Sequence, residues 1–370
     1  MRAVARLINP RDLNMPRRVT IAVASLAISI SGLTTSSTAL EPSLRTVSIS
    51  FSGDVLAHNS LYWAAQTSDG YDFTPMFRPL TPTLSADINI CHLETPLTDA
   101  PPTTYPVFST PIQLATALKT AGFDGCSMAS NHSLDQGPSG VVSTLTAMRT
   151  AGLKTAGARK SSRGTSIGWY TAPNGLRIAQ IAFSYGFNGR RLPQDKWWMV
   201  NLIRERDIIS AARRARAQGA DVVVATLHWG TEYSTSSNSM QRELAAALTA
   251  SPDIDAVVGH HAHVLQEAEI LNGKPVVYGL GNLWSGQGPW KDQPYGQQGA
   301  VVTLKFAVSE DATRYIIGTY VPTLTIPGTW QVMDARKVTR ATQFTQACSS
   351  ILNAAKQLVV FSGPKVCPKR

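Results

Sequence analysis

A layered α/β fold is predicted for this 370-residue chain by two regularities of its sequence. Short apolar runs rich in β-branched residues each deliver polar residues at their C-terminal ends, and helix-like segments separate most of them. All seven histidines fall in five short stretches at or near such ends: GDVLAHN (53–59), CHLET (91–95), SNHSLD (130–135), LHWGTE (227–232) and GHHAHV (259–264). Imidazole and carboxylate are the side chains that hold divalent metals in nitrogen- and oxygen-rich sites. A metal-dependent hydrolase is therefore the first functional expectation.

The elements follow in order. TVSISFSGD (46–54), ADINICHLE (86–94), FDGCSMASN (123–131), LRIAQIAFS (176–184), DVVVATLHW (221–229), IDAVVGHH (254–261) and KPVVYGLGN (274–282) read as strands. Helices are expected over 110–122, 137–152, 201–219 and 239–251, three of them finishing at glycine. Such alternation places functional residues at the sheet ends of a layered core. After Asn282 the pattern changes: a Gly, Pro and aromatic loop (288–299) precedes AVVTLKFAV (300–308) and TRYIIGTYVPTLTI (313–326), which suit antiparallel strands completing a sheet. Residues 335–357 read as helix. The expected organisation is a main domain over 46–330 and a C-terminal helix and cysteine-containing tail over 331–370. The Pro-rich stretch 98–111 is expected to be a loop near the site.

The N-terminus reads as an export signal. Arg17 and Arg18 precede the apolar stretch 19–33, and small and hydroxyl residues end at Ala39, the expected cleavage point, with Met15 an alternative start. An uncleaved membrane anchor is the alternative. Without residues 1–39, which carry five Arg and one Asp, the net charge falls from +10 to +6 (10 − 5 + 1). That charge is scattered, and no interleaving of basic and aromatic residues points to nucleic acid. Cys91, Cys126, Cys348 and Cys367 permit two disulfides in an oxidising compartment. Pairing Cys348 with Cys367 would pin the tail, and pairing Cys91 with Cys126 would brace the site.

Asp54 ends the first strand and offers a carboxylate, and His58 shares its side if the chain turns helical there. His92 and Glu94, two residues apart, share a face of an extended segment. Glu94 suits a bridge between two cations, and His92 suits either ligation or a hydrogen-bonding role. Asn131 offers an amide oxygen. His132 is free to face the reacting group, with Asp135 placed to accept its hydrogen bond and ready it for proton transfer. His228 follows a very apolar run. Alternation along GHHAH places His261 and His263 together, with His260 the competing choice. FNGRRLPQDKWW (187–198) mixes cations and tryptophans in a manner suited to gripping an anionic chain or forming a packed lid, and Trp229 and Trp284 suit pocket walls or core.

Together the strings SGDVLAHN, ADINICHLETPLT, GFDGCSMASNHSLDQG, VVVATLHWGTEY and DAVVGHHAHVLQEAEILNGKPVVYGLGN resemble the bacterial capsule-synthesis family also described as poly-γ-glutamate biosynthesis proteins, similar in fold to calcineurin-like metallophosphoesterases. The resemblance implies a four-layer α-β-β-α sandwich with two divalent ions, Mn, Fe or Zn, at its sheet edges. It implies metal ligation by Asp54, Glu94, Asn131, His228, His261 and His263, with His58 as a substitute ligand, and matches His132 to the family's Asn-His pair; the residues themselves suggest catalytic roles for His132, Asp135 and His92. Two departures stand out. Leu56 occupies the place where phosphoesterases carry histidine, and His92 replaces the asparagine of the usual Asn-Leu-Glu string. The implied substrate is a phosphoester or an anionic cell-envelope polymer, with capsule-synthesis membrane proteins as potential associates. A polymer-handling factor without turnover and a metal-dependent peptidase or amidase are the competing functions.

Overall fold

The computed structural model of the chain describes residues 44–288, 294–310, 312–339 and 341–367. The expected export signal, residues 1–39, lies outside them. Among the described residues, no helix is long and apolar enough to cross a membrane.

The chain first lays down four strands, β1 (Arg45–Leu56), β2 (Ile88–Leu93), β3 (Gly125–Ser127) and β4 (Lys154–Ala156), parallel to one another. Six strands then form a second sheet: β5 (Gly168–Thr171), β6 (Arg177–Ser184), β7 (Val222–His228), β8 (Ala256–His260), β9 (Ala268–Leu271) and β10 (Lys274–Val277). Their spatial order is β9-β10-β8-β7-β6-β5. The chain returns to the first sheet with β11 (Asn282–Ser285), β12 (Gln298–Val308), β13 (Thr313–Thr325) and β14 (Val332–Asp334). That sheet runs β14-β13-β12-β1-β2-β3-β4, with β11 alongside the end of β1. The segment expected as one strand over 274–282 is thus divided between two sheets, and it crosses through Tyr278–Gly281, where Gly281 adopts φ +65°.

Helices α1 (Gln113–Ala121) and α2 (Gly137–Thr150) cover the first sheet, and α3 (Glu205–Ala217) and α4 (Ser239–Ala250) cover the second. The side chains show why four layers result. Val47, Ile49, Phe51, Ile88 and Ile90 pack against Ile178, Val222, Val224, Ala256 and Val258 between the sheets. On the far side of the first sheet, Cys91, Leu93 and Cys126 meet Leu114 and Leu118 of α1 and Val141 and Leu145 of α2. Val223, Ala225 and Val257 meet Ile208 of α3 and Leu244 and Leu248 of α4 on the far side of the second. Successive strand residues alternate between faces, so a run such as Val222–Ala225 must be apolar throughout to serve both. The result is the α-β-β-α sandwich expected from the resemblance.

The C-terminal segment is built onto this core. β14 pairs with β13, and α5 (Ala341–Gln357) places Ala354, with Leu358 and Phe361 beyond it, against the inter-sheet core. Both expected disulfides are formed. Cys91 and Cys126 face each other in the β2–β3 register, and Cys348–Cys367 joins α5 to the tail. Residues 19 positions apart close a loop whose removal from the unfolded ensemble corresponds to about 3 kcal/mol. Replacing Cys348 and Cys367 together by serine is expected to lower the unfolding free energy by about 3 kcal/mol, read as a lower urea midpoint. An unchanged midpoint would show that the tail contributes nothing through this crosslink.

Candidate metal centre

The C-terminal ends of β1, β2, β7 and β8 converge with the loops that follow β3 and β8. At Ser52, β12 gives way to β11 as the neighbour of β1, and the Asp54 N–H then bonds to the Gly281 carbonyl at 2.9 Å. A Cβ on Gly53 would lie 2.2 Å from that carbonyl oxygen, so this approach requires glycine. Glu94, just past β2, donates its N–H to Val55 at 3.2 Å, while its own carbonyl accepts the Ser130 hydroxyl at 2.6 Å. One side chain thereby ties the Asn131–His132 loop to the β2 end.

Asp54 is fully buried and joins two histidines, with Oδ1 3.1 Å from His260 Nδ1 and Oδ2 3.1 Å from His263 Nδ1. Its Oδ2 also accepts the His261 N–H at 3.2 Å. Beside it runs a buried relay. Ser127 Oγ lies 2.7 Å from His92 Nδ1, His92 Nε2 lies 2.9 Å from His228 Nδ1, and His228 Nε2 lies 2.9 Å from Asn131 Oδ1. Because the amide oxygen can only accept, the tautomers follow: His228 donates from Nε2, His92 donates to His228, and Ser127 donates to His92. The His92 ring also stacks on His260 at 4.1 Å.

Glu94 sits among these imidazoles with its Oε1 3.7 Å from His263 Nε2 and 3.9 Å from His228 Nε2. Among the described residues, neither of its carboxylate oxygens has a hydrogen-bond partner, although the residue is buried, and His261 Nδ1 is likewise unpartnered. Orphaned acceptors at such depth are costly unless a cation satisfies them. Four groups of donors lie within 4.8 Å of one another among the described residues: Asp54, His92 and His260; His92, Glu94 and His228; Asp54, Glu94 and His263; and Glu232, His261 and His263. The residues present fit a divalent metal.

The charges are consistent with that fit. Burial alone would raise the Asp54 pKa, but hydrogen bonds from His260 and His263 outweigh it and hold the carboxyl well below its ordinary range. Burial pushes Glu94 well above its ordinary value. Burial, reinforced by neighbouring imidazoles, keeps His92 and His228 neutral and lowers His261 to about 3. His263 opposes burial through Glu94 and Asp54 and rises to about 9.

His132 stands apart from these groups. Its Nδ1 lies 2.7 Å from Asp135 Oδ2, its Nε2 lies 3.5 Å from Asn188 Nδ2, and Phe108 packs edge-on at 4.7 Å. Asp135 also accepts the Phe108 N–H at 2.7 Å, so the Pro-rich loop orients the pair from outside.

The structure therefore gathers Asp54, Glu94, His92, Asn131, His228, His261 and His263, and places the His132–Asp135 pair nearby. His58 belongs to none of the four donor groups. β1 stays extended to Leu56 rather than turning helical, and His58 Nδ1 donates to the Leu56 carbonyl at 3.2 Å, with burial lowering its pKa to about 4. His260, which alternation would turn away, instead contacts Asp54. The left-handed φ values of His261 (+90°) and His263 (+57°) take the segment out of extended geometry, so alternation does not apply. Four participants were not anticipated: Ser127, Tyr185, whose ring lies 4.6 Å from that of His261, Glu232, and Asn282, whose Oδ1 lies 3.1 Å from His263 Nδ1. Of these, Glu232 and Asn282 lie within the strings LHWGTE and GLGN, a signal that could have found them. Trp229 and Trp284 are core residues, donating to the carbonyls of Tyr278 and Trp330 at 3.0 Å each.

Residues 48–287 match the family described as bacterial capsule synthesis protein PGA_cap. The chain belongs to this family. Among PGA_cap relatives, the capsule biosynthesis protein CapA of Bacillus anthracis is 33% identical over 176 residues, 46% of this chain and 42% of that protein. The PGA biosynthesis protein CapA of Bacillus subtilis is 34% identical over 181 residues, 46% of this chain and 45% of that one. The chain thus matches less than half the length of these relatives. A calcineurin-like phosphoesterase from Bacillus subtilis is similar in structure, with a TM-score of 0.45 at 14% identity, covering 83% of this chain and 96% of its own.

Replacing Gly53 with alanine is expected to shift β1 from Gly281 and lower stability by about 1–3 kcal/mol, as overpacking of a close contact does. Thermal unfolding tests this, and an unaltered midpoint would show that the β1–Gly281 approach is not required.

Proposed function

We propose that this PGA_cap protein is an exported, metal-dependent hydrolase acting on a phosphoester or on an anionic cell-envelope polymer of the poly-γ-glutamate type. The observation that carries the reading is Glu94, a buried carboxylate with both oxygens unpartnered among imidazoles whose lone pairs can turn toward a shared cation. Asp54, Glu94, Asn131, His228, His260, His261 and His263 would hold two divalent ions, with His92 oriented by Ser127 as a further donor. Such ions supply Lewis acidity and a more acidic water at the attacked centre.

The remaining chemistry belongs to the protein. Asp135 accepts the Nδ1–H of His132 as a hydrogen bond, which orients the ring so that, when both nitrogens carry protons, Nε2–H faces the reacting group and passes its proton to the departing oxygen or nitrogen, leaving a neutral imidazole. The Phe108 N–H and Arg190, 3.9 Å from the other Asp135 oxygen, keep that carboxylate aligned. Asn188 marks the side from which a leaving group would approach Nε2.

Elemental mass spectrometry of the purified protein is expected to find about two equivalents of metal, lost in both Asp54→Ala and His228→Ala. Retention should also fall on acidification, because protons compete for the imidazole lone pairs. No tightly held metal after expression in metal-replete medium would sink the hydrolase reading in favour of a polymer-handling factor. In the loaded protein, His132→Ala is expected to lower kcat by about 10²–10⁴-fold with metal content unchanged. Equal turnover in that variant would remove His132 from the proton transfer.

A further inference from the structure

Beside the metal centre lies a cavity of ≈ 670 Å³, of whose lining the proposed chemistry uses only Arg190. Its walls carry Arg159, Arg190, Arg191, Arg204 and Arg214 against a single carboxylate among the lining residues, Asp207. Asp207 is already shared between Arg204 at 3.9 Å and Arg206 at 3.4 Å. Aromatic faces lie between the charges: Phe183, Phe187, Trp197 and Trp198 line the same space, and Trp197 is 72% exposed.

The cavity has a direction. At one end Tyr185 packs its ring 4.6 Å from His261, and Arg190 lies 3.9 Å from Asp135. Elsewhere in the lining, Arg159 donates to the Trp198 and Gly164 carbonyls, and Arg214 bonds to Ser210 at 2.8 Å. Burial, and then the like charge of Arg214, lower the Arg159 pKa, a repulsion that a bound anion would relieve.

We infer that this cavity is the docking groove for a linear polyanion carrying one oxyanion per repeat, with one end of the bound chain delivered to the metal centre. Building on the hydrolase reading, the inference names the form of the substrate. A single phosphate or carboxylate would engage one guanidinium fork and leave most of the volume empty, whereas cavities of about 300–1,000 Å³ suit ligands of many atoms. Five arginines lining one cavity suit several oxyanions carried on one chain. The aromatic faces cover the apolar links between them without demanding a particular repeat.

Fluorescence anisotropy with the full metal-loaded chain tests this, using labelled γ-glutamyl oligomers from the dimer to long chains, a matching polyphosphate series, and inorganic phosphate. Affinity should climb with length until the groove is filled, and should fall with added salt. Changing the exposed Arg191 and Arg214 together to glutamine should weaken long-chain binding by about tenfold or more while sparing the dimer, as expected for loss of charge pairs to the chain. A length effect confined to the γ-glutamyl series identifies carboxylates as the recognised groups, and one confined to polyphosphate identifies phosphates. Length-independent affinity, or variants that bind long chains as the parent does, overturns the inference. Cleavage is read separately. Long chains bound through these arginines but never cut would sink the hydrolase reading and leave the groove intact, whereas chains cut at rates indifferent to length and to both arginines would do the reverse.

Discussion

Two carboxylates buried among five imidazoles, at the line where four strand ends meet, are the constraint around which the rest of the structure is organised. Asp54 is satisfied by protein groups on both oxygens, and Glu94 by none among the described residues. The inter-sheet core must therefore be stiff enough to hold an acid in a place it would otherwise leave. The continuous apolar runs of β7 and β8, the disulfide clamping β2 to β3, and the Ser130 bond to the Glu94 carbonyl all serve that end. Rigidity of this kind is what a cation site needs, because ligands fixed in advance lose little freedom when the ion arrives.

Much of this was legible in the sequence. Strand ends announced themselves because β-branched runs stop abruptly at Asp, Asn or His, and the seven histidines could hardly be scattered surface residues when nearly all of them terminate such runs. The division of strands between two sheets was less accessible. Val222–Ala225 feeds both faces of its sheet, so periodicity cannot say which neighbour each face meets. His260 was misplaced by alternation because the left-handed turn at His261 is a backbone property that residue type does not reveal. His58 shows the converse. Its position on paper depended on a helical turn that the pairing of Leu56 with Ser285 prevents.

The metal centre and the basic groove draw on different parts of the chain. The donors come from the ends of strands in both sheets, whereas nearly all of the groove, from Phe183 to Arg214, is a single excursion between β6 and the third turn of α3, with Arg159 and Ser166 the exceptions. The groove and the donor cluster are thus separable in the gene. Insertions or exchanges within that one connection would reshape the groove while every strand end stays in register, so the scaffold offers a replaceable cassette beside a fixed cluster of metal-binding donors.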